Sequence, residues 1–169
     1  MSSIKDAVKL MKDEDVEYVD VRFTDPRGKM QHVTQDIYTI DEDVFADGLM
    51  FDGSSIAGWK AINESDMVLM LDPTSLHIDP FYAQKTAAVF CDILETGTGE
   101  AYERDPRGTA EKAEAYLKSS GIGDAAYMGP EAEFFLFDDV RFSNTMNKVS
   151  FEVDAIDAAW NSDTEYEMG

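Results

Sequence analysis

Residues 18–35 read YVDVRFTDPRGKMQHVTQ, and the period of this stretch decides the fold. Val19, Val21 and Phe23 alternate with Asp20 and Arg22, the spacing of a strand with one face on a core and the other turned outward. Asp25-Pro26-Arg27-Gly28 then supplies type I turn chemistry. Pro presets φ at the second position and Gly relieves crowding at the fourth, so residues 29–35 return as the partner strand of a hairpin. Upstream, Ser3 followed by Asp6 is a helix start signal, and Ile4, Ala7, Val8 and Met11 recur at helical spacing. Downstream, Asp41 is placed to cap a helix carrying Val44 and Phe45, which Gly48 would end in a left-handed conformation. The runs Met67–Leu71 and Thr86–Leu94 are continuous enough in apolar residues for inner strands. Four strands with one helix across them predict a compact α+β unit of about a hundred residues.

Beyond that unit the composition changes at residues 95–108, ETGTGEAYERDPRG, which read as a boundary. A helix is expected over Thr109–Ser120, with Ala110, Ala113 and Leu117 along one face and Gly121 as its stop. GPEAEFFLFD, residues 129–138, reads as a strand, with Glu131, Glu133, Phe135 and Phe137 in one row and Ala132, Phe134 and Leu136 in the other. Residues 140–154 read as a further hairpin, followed by an acidic tail. A helix, a strand and a hairpin are too little for a second domain, so the chain is expected to be a piece of a longer one.

Composition narrows the function classes. An apolar share of 44% and an aromatic share of 11% support a real core. Thirty-five acidic residues against 14 basic ones leave a net charge of −21, which repels nucleic acid and anionic membrane surfaces. Such a surplus of carboxylates is mostly solvated, with the option of converging on Mg²⁺, Mn²⁺ or Ca²⁺. The lone Cys91 sits in an apolar run, fits a buried role and agrees with a reducing compartment. No apolar run approaches a membrane span and no export signal opens the sequence, so a soluble, unexported protein is expected. His32 and His77 have no metal-ligand spacing around them and read as structural. The usual sequence-local phosphate loops and hydrolase motifs are absent.

Two constellations carry chemical content. Glu131 and Glu133, two apart on a strand, would project two carboxylates from one face, each able to hold its own divalent cation or both to hold one. The plainer reading is a solvent-facing strand edge. Residues 51–59, FDGSSIAGW, combine two glycines, two hydroxyls, a carboxylate and an indole. They suit a shaped lid in which Asp52 offers a fixed negative charge, or a surface turn with Trp59 packed beneath it.

MFDGSSIAGWKAINESDMVLMLD, IDPFYAQKTAAVFCDILETGTGEAYERDPR and GPEAEFFLFDDVRF together resemble the N-terminal third of a bacterial type I glutamine synthetase. The resemblance implies an α+β fold: a β-grasp N-terminal domain over residues 1–104, then the truncated beginning of an α/β catalytic domain over residues 105–169. It implies an ATP-dependent ligase that joins L-glutamate and ammonia through a γ-glutamyl phosphate, in a cytoplasmic dodecamer whose active sites lie between subunits. Glu131 and Glu133 fall on the family's metal strand, each expected to hold a different Mg²⁺ or Mn²⁺ ion. Asp52 and Ser55 match a loop lent to the neighbouring subunit's active site, where the carboxylate helps to bind ammonium and accept its proton. Trp59 would close the subunit interface beside it. Ala132 stands where many relatives have Pro, and Met168 replaces a Gly of the family pattern. Further metal ligands, glutamate-binding arginines and the nucleotide pocket would lie beyond Gly169. The 169-residue chain is therefore expected to be inactive alone, and the alternative is a β-grasp fragment that binds subunits or regulators without chemistry.

Overall fold

The computed structural model describes residues 3–156, 158 and 160. Met168 and the rest of the acidic tail from residue 161 onwards lie outside the described residues. The chain forms two compact units, Met1–Ala126 and Tyr127–Gly169.

In the first unit, helix α1 (Ile4–Asp13) starts where the cap predicts, with the Asp6 N–H donating to Ser3 Oγ at 3.2 Å, and buries Ala7, Val8 and Met11. Strands β1 (Tyr18–Thr24) and β2 (Met30–Asp36) pair antiparallel, Tyr18 opposite Asp36 and Thr24 opposite Met30. Their turn closes with the Gly28 N–H on the Asp25 carbonyl at 3.0 Å, and Gly28 takes φ +83°. That positive φ brings the two strands back into register after the type I turn. The Asp25 carboxylate locks it by accepting from the Arg27 and Lys29 N–H groups and from Gln31 Nε2, each at 2.9 Å.

Helix α2 (Glu42–Asp47) begins at the Asp41 cap, whose carboxylate accepts the Val44 N–H at 3.0 Å. Gly48 ends it at φ +83°, but with ψ 176° rather than a left-handed ψ. The chain therefore leaves the helix extended and runs straight into β3 (Leu49–Asp52), a strand the sequence pattern does not announce. Strands β4 (Asp66–Leu71), β5 (His77–Asp79) and β6 (Thr86–Glu95) complete a six-stranded sheet, and β5 lies between the two apolar runs, where the sequence pattern announces no strand. The path is β2-β1-β6-β4-β3, with β5 also on β6. β1 and β6 are parallel, Tyr18 opposite Thr86, whereas β4 and β5 meet β6 antiparallel. Val19, Val21, Phe23, Met67, Leu69, Leu71, Val89, Cys91 and Ile93 are buried from these strands, and burial pushes the Cys91 thiol up, so it stays protonated.

The outward row of β1 is not wet. Asp20 is 1% exposed, and its carboxylate accepts from Arg22 Nε at 2.7 Å and Thr34 Oγ1 at 2.9 Å, with His32 Nδ1 at 2.7 Å. Arg22 also donates to Asp79 at 2.6 Å. Burial opposes the Asp20 anion, but the hydrogen bonds from Arg22, His32 and Thr34 outweigh it and hold the carboxyl below its ordinary range. His77 rests against Phe90, ring centroids 6.4 Å apart.

Helix α3 (Pro106–Ser120) starts three residues earlier than its apolar pattern suggests, because Asp105 caps it and Pro106 opens it. The Asp105 carboxylate also accepts the Ile93 N–H of β6 at 3.3 Å, and Arg107 pairs with Asp72 and, at 2.8 Å, with Asp92. The expected face of α3 is open: Ala110 and Ala113 are exposed and Leu117 half-buried.

The second unit contains the expected hairpin, β7 (Asp139–Thr145) with β8 (Lys148–Asp154). The strand expected over residues 131–137 is not formed. A strand exists through its ladder, and no described segment runs beside this one. Its alternation still leaves a trace, since the Phe135 and Phe137 rings stack 6.1 Å apart. No described helix is long and apolar enough to cross a membrane.

Replacing Asp20 by Asn should cost about 3 kcal/mol in urea unfolding, because Arg22 would lose one of two buried carboxylates. The folded-state carboxyl lies below its unfolded value, so this contribution is complete above the ordinary carboxylate range and is lost as pH falls from there through the lower folded value. A variant as stable as the parent at pH 7, or equally more fragile at every pH, would contradict this account.

Candidate functional site

Asp52 closes β3 on its outward row, opposite Asp66 of β4. Phe51, one residue earlier, points inward, which is why the carboxylate at 52 meets solvent. The chain then tightens into one 3₁₀ turn, Gly53–Ser55. Gly53 is buried, donates its N–H to the Ser65 carbonyl at 2.7 Å, and leaves no room for a side chain, since a Cβ would lie 2.3 Å from Met67 Sδ. This close approach of turn to strand fixes where Asp52 stands. Ser54 donates twice to Asp52 Oδ1, from its N–H at 2.9 Å and its hydroxyl at 2.6 Å. The Ser54 hydroxyl, then its N–H, hold the Asp52 carboxyl below its ordinary range, with Ser65 adding to the effect. Asp52 is thus an exposed, orientated anion.

The far end of the loop is anchored in the core. Trp59 is 5% exposed and packs against Phe23 at 5.3 Å, Tyr102 at 5.6 Å and Phe51 at 5.9 Å between ring centroids. Its surface is spent within its own chain, beneath the loop. Lys60 pairs with Glu95 at 2.7 Å over the Tyr102 ring, and Arg104 donates to the Gly58 carbonyl at 2.9 Å. Ser55, the hydroxyl named from the sequence, is exposed, whereas the group that touches Asp52 is Ser54. The signal for Ser54 was present in the Asp-x-Ser spacing, which lets a carboxylate bond the residue two ahead.

Glu131 and Glu133 belong to the second unit and are both exposed. Residues 15–96 match the family model "Glutamine synthetase, beta-Grasp domain" and residues 103–168 match "Glutamine synthetase, catalytic domain". The chain belongs to the glutamine synthetase family. It is 67% identical over 169 residues to the glutamine synthetase of Cereibacter sphaeroides and 60% identical to that of Rhizobium meliloti, and spans 36% of the length of each. The solved Plasmodium falciparum glutamine synthetase superposes with a TM-score of 0.70 at 22% identity, over 93% of this chain and 30% of that one, a likeness of fold.

The carboxylates of Glu131 and Glu133 are hard oxygen donors, the type that Mg²⁺ and Mn²⁺ prefer. Their number falls short. Among the described residues no group of three or more His, Cys, Asp or Glu could hold a metal ion.

Gly53→Ala should lower stability by about 1–3 kcal/mol, because the new methyl must displace Met67. Thermal unfolding checks this, and an unchanged midpoint would mean that the turn is held less closely to β4 than described.

Proposed function

We propose that this chain is the N-terminal portion of an ATP-dependent glutamate–ammonia ligase, with a β-grasp domain over residues 1–104 and the start of the catalytic domain from 105. The observation that carries the reading is the held Asp52 anion on a loop of a chain whose full length matches bacterial glutamine synthetases. In the reaction, the γ-carboxylate of L-glutamate takes the terminal phosphoryl group of ATP and ADP leaves. Ammonia then attacks the γ-carbonyl, phosphate departs with the C–O bonding pair, and the spare proton passes to a base. Asp52 and Ser55 would serve the ammonium side from a neighbouring subunit of a cytoplasmic dodecamer, with Trp59 supporting the loop at that interface. A carboxyl held below its ordinary range is a weak base, so Asp52 acts chiefly by drawing in and desolvating ammonium and only then by accepting a proton. Glu131 and Glu133 would each contribute to one of two Mg²⁺ or Mn²⁺ sites completed by residues outside this chain. A divalent cation bound there would neutralise charge on the transferred phosphoryl group.

The test is a hybrid in which these 169 residues replace the matching segment of the Cereibacter sphaeroides protein, assayed for glutamine formation. Asp52→Asn should raise the KM for ammonium at least about tenfold, as the loss of one charge-assisted contact implies. An effect confined to ATP would remove Asp52 from the ammonium side. Glu133→Gln should abolish turnover at ordinary Mg²⁺ while leaving assembly intact, and the 169-residue chain alone should form no γ-glutamyl hydroxamate.

A further inference from the structure

The chain builds the Asp52 turn twice. Asp72 directly follows the last residue of β4 and opens a 3₁₀ turn, Pro73–Ser75. Its φ and ψ of −88° and 102° match the −86° and 100° of Asp52. Thr74 donates to Asp72 Oδ1 from its N–H at 2.9 Å and its hydroxyl at 2.6 Å, the same distances that Ser54 makes to Asp52. In both turns one carboxylate oxygen is committed to the hydroxyl residue two ahead. At Asp72 the second oxygen, Oδ2, receives a cation, the Arg107 guanidinium. At Asp52 no Lys or Arg among the described residues forms an ion pair; the neutral Ser65 hydroxyl is the further group that bears on the carboxylate, and Asp52 is exposed.

We infer that Ser54 is the positioning residue of a cation cradle: it commits Asp52 Oδ1 and so presents Oδ2 to a small cation from outside the chain, as Thr74 commits Asp72 to Arg107. The inference rests on the proposed role of Asp52 and identifies the cation as the ammonium substrate. Ser54 does not touch the substrate. Its hydroxyl fixes the carboxylate rotamer and stabilises the anion, so that less of the binding energy is lost in ordering a mobile side chain. Thr74 shows that a threonine fits this geometry with its hydroxyl in the same place.

The experiment follows the side-chain carboxyl carbons of the ¹³C-labelled 169-residue chain by NMR as pH is lowered. Asp66, which faces Asp52 across the β3–β4 pair, is tracked in the same spectra. Ser54→Ala should move the Asp52 titration upwards and leave that of Asp72 unchanged. Thr74→Ala should do the reverse, and Ser54→Thr should leave Asp52 where it was. In the Cereibacter hybrid, Ser54→Ala should raise the KM for ammonium about tenfold, as for one lost hydrogen bond to a charged group, with the KM for glutamate unchanged and recovery in Ser54→Thr. An Asp52 titration that stays in place in Ser54→Ala overturns the inference, as does a KM effect on glutamate instead of ammonium. Collapse of the amide spectrum in Ser54→Ala would overturn it too, since it would make the hydroxyl a requirement of the fold. If the unsubstituted hybrid makes no glutamine, the functional reading fails, while the titrations still decide whether Ser54 governs Asp52.

Discussion

Strand β6 has hydrogen-bonding partners along both edges, and that double commitment organises the first unit. Residues 86–90 lie parallel to β1 on one side, while residues 86–88 meet β5 and residues 91–95 meet β4 on the other. A strand so enclosed must be apolar on both faces, which is why Ala87, Ala88, Val89, Cys91 and Ile93 are all fully or almost fully buried. The same strand receives the cap of α3, because the Asp105 carboxylate accepts the Ile93 N–H. The loop that carries Asp52 hangs from this arrangement at one remove. β4 lies on β6, β3 on β4, and Gly53 is pressed against Met67.

The acidic composition acquires different meanings at different depths. Asp20, Asp25 and Asp105 are buried and fully occupied in holding strands, a turn and a helix start. Asp92 is partly buried beside Arg107 and its carboxyl is pushed above the ordinary range, burial outweighing the guanidinium. Asp52 is of the opposite kind, an exposed anion held low by hydroxyl and amide hydrogen bonds. Counting carboxylates therefore says little, whereas asking which donors each one meets separates buried acids that hold elements together from an exposed one held in place.

Much of the fold was legible because its signals are local. The Ser3 and Asp41 caps, the Asp25–Gly28 turn and the period of β1 each depend on residues within a few positions, and each forms where the pattern places it. β3 and β5 were not legible, being strands of four and three residues that exist through partners distant in sequence. The buried Asp20 was hidden for a related reason: its partners His32, Thr34 and, through Arg22, Asp79 come from two other strands. At the site, Asp52 and the Glu131–Glu133 pair could be named from motif resemblance alone. The donor that holds Asp52 was signalled by spacing, because Ser54 stands two residues after the carboxylate, but the resemblance drew attention to Ser55 and only the 3₁₀ turn shows which hydroxyl is directed back. The run over residues 131–137 shows the converse, an alternation that is clear in sequence and unrealised without a neighbouring ladder.

The burial of Trp59 gives the protein a built-in optical reporter. The chain has two tryptophans, and they fall one in each compact unit. Trp59 is wedged among three rings at 5% exposure, while Trp160 is 58% exposed. An indole shielded from water emits at shorter wavelength than a wet one, so the two units carry distinguishable fluorescence. Because Trp59 lies under the turn that orients Asp52, the blue edge of the emission reports on the packing of that loop without any added label.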